Sequence, residues 1–231
     1  MRNRRFYQTF THREAVFRIH CAQFDVVTGE IVRQRKILEE YLQRFPKFRH
    51  SLERLDLDFD APEVAQRMVR AARKVGVGPM AAVAGAMAQY VAEAGLEAGA
   101  REVIVENGGD IYLQTIEPVT IGLYSGATEL ADRLAFSLAA SDTPLSICSS
   151  SGKMGHSLSL GRCDLATVVA KDAALADAAA TQAANLVQTD EDIDVALQRI
   201  VAIAGIDGVL IIQNDRVGLA GHLPPLVKVE R

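Results

Sequence analysis

The chain has 231 residues, 49% hydrophobic and 23% charged, with a net charge of −4. That length and apolar content suit one globular domain, residues 1–231, and the acidic balance gives no general reason to expect nucleic acid or acidic lipid as a partner. Cys21, Cys148 and Cys163 have neither a CxxC nor a zinc spacing, no apolar run approaches the roughly 18 residues of a membrane span, and no apolar stretch follows the N-terminal arginines, so a cytoplasmic protein with reduced thiols and no membrane partner is expected.

Residues 4–10 and 14–27 alternate and carry Phe, Tyr, Val and Ile, which predicts two strands joined near Thr11-His12-Arg13 and closed by Thr28-Gly29. From Glu30 to Phe45, Ile31, Leu38, Tyr41, Leu42 and Phe45 share one helical face, and Pro46 ends that helix. The arginines and lysines around it (Arg33, Arg35, Lys36, Arg44, Lys47, Arg49), like Arg2, Arg4 and Arg5, read as a solvated basic face. Residues 47–60 read as a connection. Asp60-Ala61-Pro62 starts a helix that buries Val64, Met68, Val69 and Val75 and stops at Gly76-Val77-Gly78-Pro79. A second helix, from Met80 to about Ala94, carries no charge between residues 80 and 88 and is expected to be buried.

Val103-Ile104-Val105 and Ile111-Tyr112-Leu113 flank Glu106-Asn107-Gly108-Gly109-Asp110, a hairpin signal because glycine takes positive φ without steric cost. The two carboxylates are not needed for that turn, and the glycines also let a ligand approach the backbone closely. Strands follow at Val119–Leu123 and Leu134–Leu138, with a short helix near Glu129. Ser146-Ile147-Cys148 and Leu158-Ser159-Leu160 read as strands on either side of a loop from Ser149 to Gly155, whose Ser150, Ser151, Gly152 and Lys153 offer hydroxyls, N–H groups and a cation to a phosphate. The loop lacks Walker spacing, and a polar hairpin tip reads equally well. Leu165–Ala170 is a nearly unbroken apolar run, the mark of a central strand.

Asp172 opens an alanine-rich helix to about Val187, Thr189-Asp190 caps another that Gly205 ends, and Val209–Ile212 with Val217–Ala220 closes the chain as a hairpin. Two helices followed by paired strands occur at 62–123 and again at 172–220. The expected class is therefore α+β, two α-α-β-β units packed on antiparallel sheets. In the alanine-rich helix, Asp177, Thr181 and Asn185 recur every four residues and so share one face. A carboxylate with a hydroxyl suits a hard cation such as Mg²⁺; the alternative is a polar stripe facing water.

Asn107-Gly108-Gly109-Asp110-Ile111 resembles the NxGGDI motif of the ApbE flavin transferases, whose fold is T-fold-related. Thr167–Asp172 followed by Ala176-Asp177-Ala178-Ala179-Ala180-Thr181 is similar to their closing strand and ADxxxT helix. Ser150-Ser151-Gly152 sits where they carry T-S-G, and Gly155-His156 near their histidine strand. Over its full length, with Ala61-Pro62, the stretch from Arg35 to Pro46 and Val77–Gly85, the chain is more similar still to a short, soluble group of ApbE-like proteins of unassigned role.

The resemblance implies FAD or a related phosphorylated cofactor held with Mg²⁺, and FMN passed to a hydroxyl of an acceptor protein. It implies Asp177 and Thr181 as metal ligands, with a backbone carbonyl of the Ala81–Gly85 region as a third. Asn107, Gly108, Gly109, Asp110, Ser150, Ser151 and Gly152 would bind the cofactor, with Asp177 and His156 catalytic and His156 the general base. The chain departs from the transferases in lacking their longer N-terminal part, the lysine of their A-K-G-Y-A helix start and the turn after their histidine strand. A flavin- or nucleotide-binding protein without transfer chemistry, or an interaction protein on the same fold, therefore stands beside the enzyme reading. Self-association is left open.

Overall fold

A central antiparallel sheet positions everything else. In a computed structural model describing residues 5–56, 58, 60–124, 133–152, 161–214 and 216–229, the elements in order are β1 (Gln8–His12), β2 (Ala15–Cys21), α1 (Phe24–Arg44), α2 (Pro46–His50), α3 (Glu63–Val75), a 3-10 turn at Pro79–Ala82, α4 (Val83–Glu97), β3 (Val103–Asn107), β4 (Asp110–Gln114), β5 (Val119–Gly122), β6 (Leu134–Leu138) and β7 (Leu145–Ser150). There follow β8 (Leu165–Ala170), α5 (Ala173–Leu186), α6 (Ile193–Val201), β9 (Ile206–Gln213), β10 (Arg216–Gly221) and β11 (Leu226–Lys228). Eight strands pair in the order β1-β2-β3-β4-β7-β8-β9-β10, and a smaller sheet pairs β11-β6-β5.

Strand periodicity then builds three layers. Val103 and Val105 of β3 face the helices, while Ile104 between them faces the small sheet and packs in a second core with Val119, Ile121, Leu134, Phe136 and Leu138. β8 shows the same division: Ala166, Val168 and Ala170 lie under the helices, Leu165 and Val169 under the small sheet. Both faces of β8 are covered, which is why its sequence reads as a continuous apolar run. The class is α+β, and α3-α4-β3-β4 and α5-α6-β9-β10 are the two repeated units sharing one sheet.

Several boundaries differ from the sequence reading. The strand expected over 14–27 stops at Cys21, and residues 24–27 open α1 instead. Thr28-Gly29 is therefore inside a helix, not a turn. Val27 and Ile31 are fully buried one helical turn apart, so core packing overrides the strand preference of Val26-Val27. Pro46 both ends α1 and begins α2, within the stretch expected as a connection, and Phe48 anchors that short helix in the core. The serine loop is partly strand, since β7 runs to Ser150. β11, three residues long, was not expected. The expected helix near Glu129 and strand Leu158–Leu160 lie outside the described residues.

Candidate functional site

The β3–β4 hairpin closes with only two residues, Gly108 and Gly109, at φ of 66° and 104°. Both positive values are what a type I′ turn requires. Asn107 and Asp110 are thereby the last paired residues of their strands, and both are buried. The Asn107 amide donates to the Ala84 carbonyl at 3.2 Å, tying the hairpin to the start of α4.

α5 approaches α4 closely because its residues are small. A Cβ built on Gly85 would lie 2.2 Å from the Ala173 carbonyl oxygen and 2.8 Å from the Asp177 Cβ. This contact brings the Asp177 carboxylate to the first turn of α4, where the Gly85 N–H donates to it at 2.9 Å and the Ala84 N–H also donates. Ala82, the N-cap of α4, supplies no side-chain cap. Asp177 does so from the neighbouring helix, opposite the positive end of the α4 dipole.

Burial raises the Asp177 carboxyl to about 7 despite those N–H groups. Asp110 is raised well above the ordinary range, by burial first and then by the charge of Asp177, against hydrogen bonds from Cys148 and the Ser149 N–H. The Cys148 thiol is pushed up by its burial and by both acids. The two buried carboxylates thus repel one another, and Asp110 Oδ1 has no hydrogen-bond partner among the described residues. Such a pair favours either a shared proton or a cation.

A cavity of about 1130 Å³ opens over these groups. Its lining brings together Asn107, Gly108, Gly109, Asp110, Ser150, Ser151, Asp177 and Thr181. Thr181 is buried, and the Asp177–Thr181–Asn185 stripe faces this cavity rather than bulk water. Gly152 does not line it: its N–H donates to the Cys163 carbonyl at 2.8 Å, and a Cβ there would sit 2.2 Å from the Gly161 carbonyl oxygen, so it serves the local chain crossing. His156 lies outside the described residues. Sequence reasoning missed Gln182, beside Thr181 on α5, and the rim residues Arg49, His50, Leu52 and Tyr124. Arg49 was hidden in an apparently ordinary basic face, and only the burial of Phe48 beneath it distinguishes that segment.

The donors fit a hard divalent cation: one hydroxyl and two carboxylates, one of which has an unpartnered buried oxygen. No group of three or more His, Cys, Asp and Glu side chains forms a closed metal cage among the described residues.

The fold is that of an ApbE-like protein. Flavin transferase ApbE from Vibrio cholerae superposes with a TM-score of 0.58 at 13% identity, covering 96% of this chain and 97% of that one. ApbE from Thermotoga maritima gives 0.55 at 12% identity, over 98% and 97%. At the sequence level, the model of the family described as "AbpE bacteria" matches residues 15–206, and the chain belongs to that family. It is 39% identical to the UPF0280 protein of Methanococcoides burtonii over 207 residues, 89% of this chain and 87% of the relative. The UPF0280 protein of Methanosarcina acetivorans is 38% identical over 197 residues, 85% and 78%.

Proposed function

We propose that the cavity binds FAD or a closely related phosphorylated cofactor together with Mg²⁺, and that the site transfers FMN to a protein hydroxyl. The observation that carries this is the convergence of Asp110, Asp177 and Thr181 with the Asn107–Gly109 turn on one large cavity. Asp177 and Asp110 supply the negative charge that recruits the cation, and Thr181 adds a neutral oxygen. The two-glycine turn presents no Cβ toward the ligand. The cation, when bound, supplies charge neutralisation for the pyrophosphate and for the departing phosphate. The acceptor oxygen attacks the FMN phosphorus, the bond to the AMP phosphate breaks, and AMP leaves. The resemblance assigns removal of the hydroxyl proton to His156.

A second reading, a cofactor-binding protein without transfer, is favoured by one observation: Asp177 already caps α4 through the Gly85 and Ala84 N–H groups. Its presence then has a structural explanation. Incubation with FAD and Mg²⁺, followed by chromatography for AMP and by mass spectrometry for flavin on protein, separates the two. Release of AMP supports transfer; bound FAD recovered intact supports the second reading.

A further inference from the structure

The segment before β1 is held by side chains rather than by the sheet. The β1–β2 ladder begins at Gln8, opposite Ile19, so Phe6 and Tyr7 lie beyond its last backbone pair. His20 stands opposite Ile104 of β3, on the same face of the sheet, and reaches out to that segment. Its Nδ1 lies 2.8 Å from the Phe6 carbonyl oxygen, and its Nε2 lies 2.9 Å from Glu102 Oε1. The Tyr7 ring sits against the imidazole, centroids 5.6 Å apart, and packs on the core between the two sheets. Over its other neighbourhood stands the Arg18 guanidinium, 4.5 Å from the Tyr7 ring centre.

Both partners of the imidazole can only accept. The Phe6 carbonyl has no proton to give. Glu102 is ionised: against its burial, two bonds of 2.8 Å from Arg5, the Ile116 N–H at 3.0 Å and His20 hold its carboxyl at about 2. A neutral imidazole carries one N–H and one lone pair, so it satisfies one of these acceptors and turns a lone pair toward the other. The doubly protonated ring donates to both. The other charged and titratable groups here are Arg5 and Tyr7 of the segment, Arg18 of β2, Glu102 and Glu106 at β3, and Glu117 in the β4–β5 connection. Burial raises the Tyr7 hydroxyl above its ordinary 10. Carboxylates and guanidinium groups ordinarily keep their charge from about pH 5 to pH 9, the window in which a histidine changes its own.

We infer that His20 is a proton-operated latch on the N-terminal segment. With both ring nitrogens protonated, it binds Phe6 and Glu102 together. When one proton leaves to solvent, the ring keeps the N–H that faces the carboxylate, because the charge-assisted bond is the stronger. The Nδ1 lone pair then faces the Phe6 carbonyl oxygen, and Phe6 and Tyr7 come away from the sheet. Arg5 remains the fixed end, paired to Glu102 and donating to the Glu117 and Pro118 carbonyls at 2.7 and 2.9 Å. Tyr7 thereby leaves Arg18 and uncovers part of the core between the sheets. The latch is closed at low pH and opens as pH rises.

NMR of the intact, ¹⁵N-labelled protein from about pH 5 to about pH 9 tests this. At the acidic end both His20 ring nitrogens should carry a proton, and at the alkaline end Nε2 alone should keep one. The Phe6 and Tyr7 resonances should shift with the same midpoint as the ring. In His20→Gln, whose amide does not titrate, that shift should be lost, whereas His12→Gln and His50→Gln should retain it. The first two readouts need no substitution, so the test stands even where His20→Gln fails to fold. A ring that keeps its last proton on Nδ1, Tyr7 resonances that do not follow the ring, or a Tyr7 transition that persists in His20→Gln would each overturn the latch.

Discussion

Gly85→Ala is expected to damage both the fold and the site, although alanine favours helices. The new Cβ would meet the Ala173 carbonyl oxygen at 2.2 Å and the Asp177 Cβ at 2.8 Å, neither of which can swing aside. Restoring ordinary contact requires α4 and α5 to part by roughly 1 Å, in an interior that is close-packed. Overpacking of this kind costs about 1–3 kcal/mol. Weakening the 2.9 Å bond from the Gly85 N–H to a buried carboxylate adds about 1.5–3 kcal/mol. Against this, Gly→Ala in a helix gains at most about 1 kcal/mol. The net loss is about 1.5–5 kcal/mol, or roughly 3–20 °C in Tm for a chain of this size. Gly29→Ala is the matched control, since Gly29 lies inside α1 and nothing stands within 4 Å of its Cβ. It should raise Tm by a few degrees. Thermal melts and urea titrations of both variants decide the matter. A Gly85→Ala protein as stable as Gly29→Ala would refute the close α4–α5 contact on which the position of Asp177 depends.

Three further outcomes are expected. Glu102, although burial pushes it up, is held at about 2 by the Arg5 guanidinium, the Ile116 N–H and His20. A carboxyl depressed in the folded state contributes stability above its ordinary 4.5 and loses it as pH falls toward 2. Glu102→Gln should therefore destabilise by about 2 kcal/mol at pH 7, and that gap should shrink at pH 3; a gap independent of pH in urea titrations would contradict the linkage. Phe48→Ala should cost about 3–5 kcal/mol, because it empties a core position against Tyr41; an unfolding midpoint equal to wild type would show that α2 is not anchored. Thr181→Val should reduce the Mg²⁺ increment in FAD affinity by less than Asp177→Asn does, since a neutral hydroxyl contributes less to a hard cation; calorimetric titration ranks the two.

Much of this architecture was legible in the chain because local signals and burial agree. Strands β6 and β8 fall on the predicted residues, and the Gly108-Gly109 turn follows from its composition alone. The cavity stripe Asp177–Thr181–Asn185 was visible as spacing, but spacing cannot distinguish water from a cavity as the thing it faces. That choice is made by long-range packing, chiefly Gly85 against Ala173, which brings residues nearly ninety positions apart into contact. The start of α1 was misread for a similar reason: β-branched Val26 and Val27 look like strand until Val27 and Ile31 are seen to share the core. The acid pair was equally hidden. Glu106 and Asp110 look alike in sequence, yet pleat and register bury Asp110 beside Cys148 and leave Glu106 partly in solvent beside Arg18.

Calorimetric titration of FAD into the wild type and Asp177→Asn, each in Mg²⁺ and in EDTA, tests the metal-assisted cofactor site most directly. The wild type should bind FAD about tenfold or more tightly with Mg²⁺, since the ion screens two adjacent phosphate charges and relieves the Asp110–Asp177 repulsion. Asp177→Asn, whose remaining side-chain oxygen still accepts from the Gly85 N–H, should fold, bind metal-free FAD nearly as before and lose that increment. Equal FAD affinity with and without Mg²⁺ in the wild type, or an increment undiminished in Asp177→Asn, would contradict it.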